Sequence, residues 1–108
     1  MGYQSDAALK LKTELFEKFE KFMKNADESS WEFLLAATRS EEDECTTLYW
    51  EGLKFYMDYS EISNLYQFLE ETDPEDFGFI RIGEDYDDYE ERGSPLDFGM
   101  YVSRHIYF

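Results

Sequence analysis

The sequence predicts an α+β fold in which two helices pack on one face of a four-stranded antiparallel sheet, in the order α-β-β-α-β-β. Three observations support this. Apolar residues recur at helical spacing over 8–23 and 62–69. Residues 100–106 alternate as a strand does. The chain also carries ten Phe, nine Tyr and two Trp, enough large side chains for one packed core. With 108 residues and no linker-like stretch, residues 1–108 read as a single acidic domain.

The first helix is predicted over 5–24, with Ser5 as its N-cap and Asn25 closing it. Ala8, Leu11, Leu15, Phe16, Phe19, Phe22 and Met23 form its apolar stripe. Glu14–Lys18, Glu17–Lys21 and Glu20–Lys24 add three i,i+4 pairs in the favourable orientation. Residues 31–38 support two readings. Ser29 and Glu32 have capping-box spacing, whereas Trp31, Phe33 and Leu35 alternate. The strand is preferred because the next segment needs a partner, and Glu41–Glu44 then form the turn.

That next segment, 46–57, is rich in β-formers: Thr46, Thr47, Leu48, Tyr49 and Trp50, then Leu53, Phe55 and Met57. Its core parity changes at Gly52, where a β-bulge would place a glycine. Asp58 and Glu61 suggest a capping box for a second helix over 59–71, with Ile62, Leu65, Tyr66 and Leu69 inward and Asp73-Pro74 as its stop. Strands are predicted at 77–82 and 99–107, joined by an acidic loop from Glu84 to Asp97.

Twenty-six acids against ten bases give a net charge of −16. The charge is uneven: residues 1–40 carry −1, residues 41–76 carry −11 and residues 77–108 carry −4. Such a surface repels nucleic acid and anionic membranes and attracts basic proteins. Cys45 is the only cysteine, so no intrachain disulfide forms, and neither a secretory signal nor a membrane-spanning run is visible. A reducing, cytoplasmic setting follows as the expectation.

Catalytic chemistry lacks its parts. Cys45 and His105 are single, with no third group to orient a base, and one Cys with one His does not make a zinc site. No glycine-rich phosphate loop is present. Glu84 to Glu91 offers six carboxylates in eight residues, but no glycine stands at the sixth position of a loop starting at Asp85, so the EF-hand pattern fails. The expectation is a protein that is not an enzyme and has no metal or other cofactor.

The candidate partner-binding residues are Glu84, Asp85, Tyr86, Asp87, Asp88, Tyr89, Glu90 and Glu91, with Glu41, Glu42, Asp43 and Glu44 as a second patch. Six acids crowded in one loop repel one another, and a basic partner would relieve that repulsion. On this view, replacing Asp85, Asp87, Asp88 and Glu90 by amides leaves stability unchanged or raises it. The competing expectation is a structural or self-associating domain whose acidity serves solubility only.

The stretch Phe79 to Gly93 (FIRIGEDYDDYEERG), followed by Met100-Tyr101-Val102-Ser103-Arg104, resembles small uncharacterised acidic accessory proteins of tailed bacteriophages. No activity is assigned to such proteins, so no functional residue carries over. The resemblance implies a phage-encoded protein in the host cytoplasm. Such proteins often inhibit host enzymes, some by imitating DNA, and the partner implied is a basic, nucleic-acid-binding host protein.

Overall fold

The computed structural model describes residues 3–85, 87–102 and 105–108. In chain order the elements are β1 (Ser5–Lys12), α1 (Thr13–Ala26), α2 (Glu28–Ala36), β2 (Thr38–Glu42), β3 (Cys45–Leu53), α3 (Ser60–Glu70), β4 (Phe77–Gly83), β5 (Tyr89–Gly93), β6 (Tyr101–Val102) and β7 (Ile106–Tyr107). The class is α+β, as the sequence predicts. Among the described residues there are three helices rather than two and a five-stranded antiparallel sheet rather than a four-stranded one, ordered β2-β3-β1-β4-β5, with β6 and β7 as a separate small pair.

The main departure is at the start. Residues 5–12, predicted as the first turns of a helix, form the central strand. Ala7, Ala8, Leu9 and Leu11 are all fully buried. Alternation sends Ala7, Leu9 and Leu11 into the main core and Ala8 into a smaller cluster on the opposite face. Within Asp6–Lys12 only Ala8 interrupts the alternation of Ala7, Leu9 and Leu11 with Asp6, Lys10 and Lys12, and Ala8, Leu11 and Leu15 fall by chance at helical spacing. Pairing along both edges, with β3 and β4, overrides the local helical preference. The helix begins only at Thr13, and Phe16, Phe19 and Met23 form its buried stripe.

Residues 28–36 are helical, not extended. Asp27 is the cap: its Oδ1 accepts from Ser30 N–H at 2.7 Å, and the Ser30 hydroxyl and N–H together hold the carboxyl below its ordinary pKa. The buried positions are Ser30, Phe33 and Leu34, a helical set, while Leu35 is 61% exposed. The partner that β3 needs comes instead from β2. Trp50 ties α2 to the sheet, stacking on Phe33 at 4.5 Å and donating from its indole N–H to the Phe33 carbonyl at 2.8 Å.

β3 ends at Leu53, shorter than predicted, and the bulge is at Gly52. Ser5 pairs with Leu53 and Ala7 with Trp50, so Asp6 faces both Glu51 and Gly52. Gly52 has φ +65° and donates its N–H to Asp6 Oδ1 at 2.8 Å. The predicted capping box of the following helix is absent: Tyr59 occupies the N-cap with no side-chain bond, although Ile62, Leu65, Tyr66 and Leu69 are buried as expected. All three helices pack on the main-core face.

The predicted loop 84–97 contains β5 and a 3-10 turn, Pro95–Phe98, and the predicted strand 99–107 is divided between β6 and β7. The reason is packing across the sheet's outer face. Met100 and Ile106 cover Ala8 and Ile80, and Phe108 packs on Tyr49 at 5.2 Å. Gly78 is needed beneath this cover, since a Cβ there would lie 2.8 Å from Pro95 Cα.

The β2–β3 turn contains Asp43 and Glu44, both left-handed at φ 52° and 63°. Two such residues make the hairpin turn whose twist matches the strands, and it favours glycine at the second position. Glu44 is held there by its own carbonyl, which accepts from Thr13 N–H at 2.9 Å. Glu44→Gly should therefore stabilise the protein by about 0.5–1 kcal/mol in urea unfolding. A loss of stability would show that the Glu44 side chain contributes more than its backbone strain costs.

Candidate functional site

Strand register divides the acids of 84–91 into two groups. Arg81 pairs with Glu90 and Phe79 with Arg92 on the helix face, while Ile82 pairs with Tyr89 and Ile80 with Glu91 on the outer face. Arg81 is the one charged side chain in an otherwise apolar strand, and it is committed inward. Its Nη2 donates to Asp88 Oδ1 at 2.9 Å, its Nε to Glu90 Oε1 at 3.0 Å, and its Nη1 to Ser5 Oγ at 2.9 Å. Glu90 also accepts from Tyr66 Oη at 2.8 Å and from Arg92 Nε at 2.9 Å. Arg92 lies over the Tyr66 ring at 4.6 Å.

The N-terminal segment closes this network. Tyr3 Oη donates to Asp88 Oδ2 at 2.6 Å and accepts from Asp85 N–H at 2.9 Å, and Gln4 N–H donates to Glu84 Oε2 at 3.0 Å. Tyr3 N–H donates to Tyr56 Oη at 2.8 Å. Arg81 and Tyr3 hold the Asp88 carboxyl below its ordinary pKa. Burial pushes Glu90 up, but its bonds from Arg81, Tyr66 and Arg92 outweigh this and the net direction is down.

Asp88 and Glu90 are therefore internal counter-charges rather than free interface acids, and the mutual repulsion expected of six acids is relieved within the molecule. The expectation that their amides leave stability intact is corrected accordingly. Tyr3, Ser5, Tyr66, Arg81 and Arg92 were not among the predicted site residues. An arginine within Phe77–Ile82 was the available signal.

Glu84, Asp85, Asp87 and Glu91 are exposed, and none forms an ion pair with a described basic residue. Tyr89 is 47% exposed and donates to Glu91. Burial, then the Glu91 carboxylate, pushes the Tyr89 phenol up to about 12. Tyr86 lies outside the described residues. Glu84, Asp85 and Glu91, with Asp88, border a groove of about 940 Å³ on the outer face. Ile82, Met100 and Val102 line it together with Tyr89, Tyr101 and Leu96.

Glu41, Glu42, Asp43 and Glu44 are also exposed, but they do not join this surface. The β2–β3 turn lies beyond the Lys12 end of β1, and the β4–β5 turn beyond its Ser5 end, on the other side of the sheet. From strand spacing and rise, the two patches lie at diagonal corners roughly 30 Å apart. Glu41 is paired with Arg39 at 2.8 Å, and the Arg39 guanidinium also covers the Phe16 ring at 4.3 Å.

Cys45 is half-buried on the outer face opposite Lys12 and Glu42, and His105 is exposed. Among the described residues no group of three His, Cys, Asp or Glu side chains is placed to hold a metal ion, and no helix is long and apolar enough to cross a membrane.

Arg81→Met should cost on the order of 2 kcal/mol at neutral pH, since charge-assisted bonds contribute about 1.5–3 kcal/mol. Depressed carboxylate pKa values stabilise the fold above their ordinary values of 3.8 and 4.5, and that contribution is lost as pH falls through the depressed values. The stability gap between wild type and Arg81→Met should thus stay constant above about pH 5 and narrow below it. Urea titrations across pH check this; a gap that persists unchanged into strong acid contradicts it.

Comparison with family models, with curated proteins and with solved structures yields no match to this chain.

Proposed function

We propose that this protein is a non-enzymatic binding protein whose outward carboxylates engage a cationic surface on another protein, acting as a nucleic-acid mimic. The observation that carries the reading is the division of labour in the β4–β5 hairpin. Its two arginines are consumed by Asp88 and Glu90, which leaves Glu84, Asp85, Asp87 and Glu91 exposed on a braced scaffold without an ion-pair partner among the described residues. Rigid carboxylates can occupy positions that a basic channel reserves for phosphates.

The magnitudes support it. The longest extent is 34 Å, over which duplex DNA carries roughly 20 charges, and the chain carries −16. The two acidic corners, roughly 30 Å apart, are separated by close to one duplex turn of about 34 Å. Association would be steered electrostatically and weakened by salt. The resemblance of the last third of the chain to phage accessory proteins fits an inhibitor of a host nucleic-acid-binding protein, working in the host cytoplasm.

The test is capture from a bacterial lysate on the immobilised protein. The expected catch is basic nucleic-acid-binding proteins that salt and competing duplex DNA both release. Changing Glu84, Asp85, Asp87 and Glu91 together to amides should weaken capture by about tenfold or more. The same variant should keep its stability, because none of the four pairs with a described arginine. Undiminished capture by this variant, or concentration-dependent oligomers as the only association, would overturn the reading in favour of acidity that serves solubility.

A further inference from the structure

The acidic groove adjoins an open edge of the sheet, and the two features together select the shape of a partner. Among the described residues, β5 has a neighbouring strand on one side only. Gly83 N–H donates to the Asp88 carbonyl at 2.9 Å, and Ser94 N–H to the Phe77 carbonyl at 2.8 Å. In the intervening register Arg81 faces Glu90 and Phe79 faces Arg92. Backbone groups of Asp88, Glu90, Arg92 and Ser94 therefore turn towards β4, and those of Tyr89, Glu91 and Gly93 turn away from the sheet. Such a row is a template for one more strand.

The side chains fix what that strand must carry. Tyr89 and Glu91 share the outer face with the groove. In an added antiparallel strand, residues opposite them project onto the same face with Cβ atoms about 5 Å away. A Lys or Arg there meets Glu91, lays its stem along the Tyr89 and Tyr101 rings, and is flanked by Glu84 and Asp85 at the groove's rim. On the helix face the neighbours are Glu90 and Arg92, already paired with each other, so the intervening positions call for no charge.

We infer that β5 accepts an extended segment of a partner protein with Arg or Lys at alternate positions and uncharged residues between them. This rests on the reading that the chain binds a cationic protein, and it names the form of the contacting segment.

The probe is a short fluorescent peptide alternating Arg and Thr, with Glu-Thr as its control, followed by fluorescence anisotropy on the intact chain. The Arg-Thr peptide should bind and the Glu-Thr peptide should not. N-methylation of the arginine amides, which face β5, should weaken binding by about tenfold, and N-methylation of the threonine amides should leave it within about twofold. Glu91→Gln and Tyr101→Ala should each weaken binding while circular dichroism stays unchanged. Equal sensitivity to both methylation patterns, or to neither, overturns the added strand. Absent peptide binding alongside salt-sensitive lysate capture overturns it too, and leaves the broader electrostatic reading standing.

Discussion

Pairing of β1 along both edges, with its inward face fully buried, is the constraint on which the rest of the structure depends. Its inward side chains, Ala7, Leu9 and Leu11, form the floor on which the helices lie. Its outward Ala8 is small enough for Met100 and Ile106 to close over it. Its two edges carry β3 and β4, so four strands and both layers are positioned through eight residues. The acidic hairpin inherits its orientation from this strand, since Ser5 pairs with Gly83 and also receives a bond from Arg81.

The dense negative charge is sustainable because the sheet divides it. One face of the β4–β5 hairpin turns its acids towards two arginines and a tyrosine, where low solvent access strengthens the pairing. The other face keeps its acids in water. Along β5 an alternation of period two separates Glu90, which braces the fold, from outward Glu91, and the β4–β5 turn adds exposed Glu84, Asp85 and Asp87. Replacing Arg81 would disturb both groups, one directly and the other through loss of the scaffold.

Much of the core was legible in the sequence. Phe16, Phe19 and Met23 follow a helical period, as do Ile62, Leu65 and Leu69, because each helix has one dry side and one wet side. Gly52 was legible as a bulge because the apolar parity breaks there. Residues 5–12 were misread because Ala8, Leu11 and Leu15 extend the spacing of the helical stripe that follows, which hid the alternation of Ala7, Leu9 and Leu11 with Asp6, Lys10 and Lys12. Residues 31–38 were misread because Leu35 is exposed, so an alternation of large side chains did not correspond to an alternation of burial. At the candidate site, the exposure of Glu84, Asp85, Asp87 and Glu91 could be expected from charge density. The diversion of Asp88 and Glu90 could not, since it depends on the β4–β5 register and on Tyr3, more than eighty residues away in sequence.

The position of β1 in the chain has a further consequence, for biosynthesis. The central strand is made long before one of its two partners: Ser5 pairs with Gly83. At about 5–20 residues per second, the strand waits roughly 4–16 s for the partner that completes its pairing. Pairings so distant in sequence are slow to form, and exposed strands of this kind are prone to associate with other unfinished chains. The segment that emerges in that interval, residues 41–76, carries a net charge of −11. Nascent chains bearing it repel one another, so the acidity that shapes the finished surface also protects the chain before it has folded.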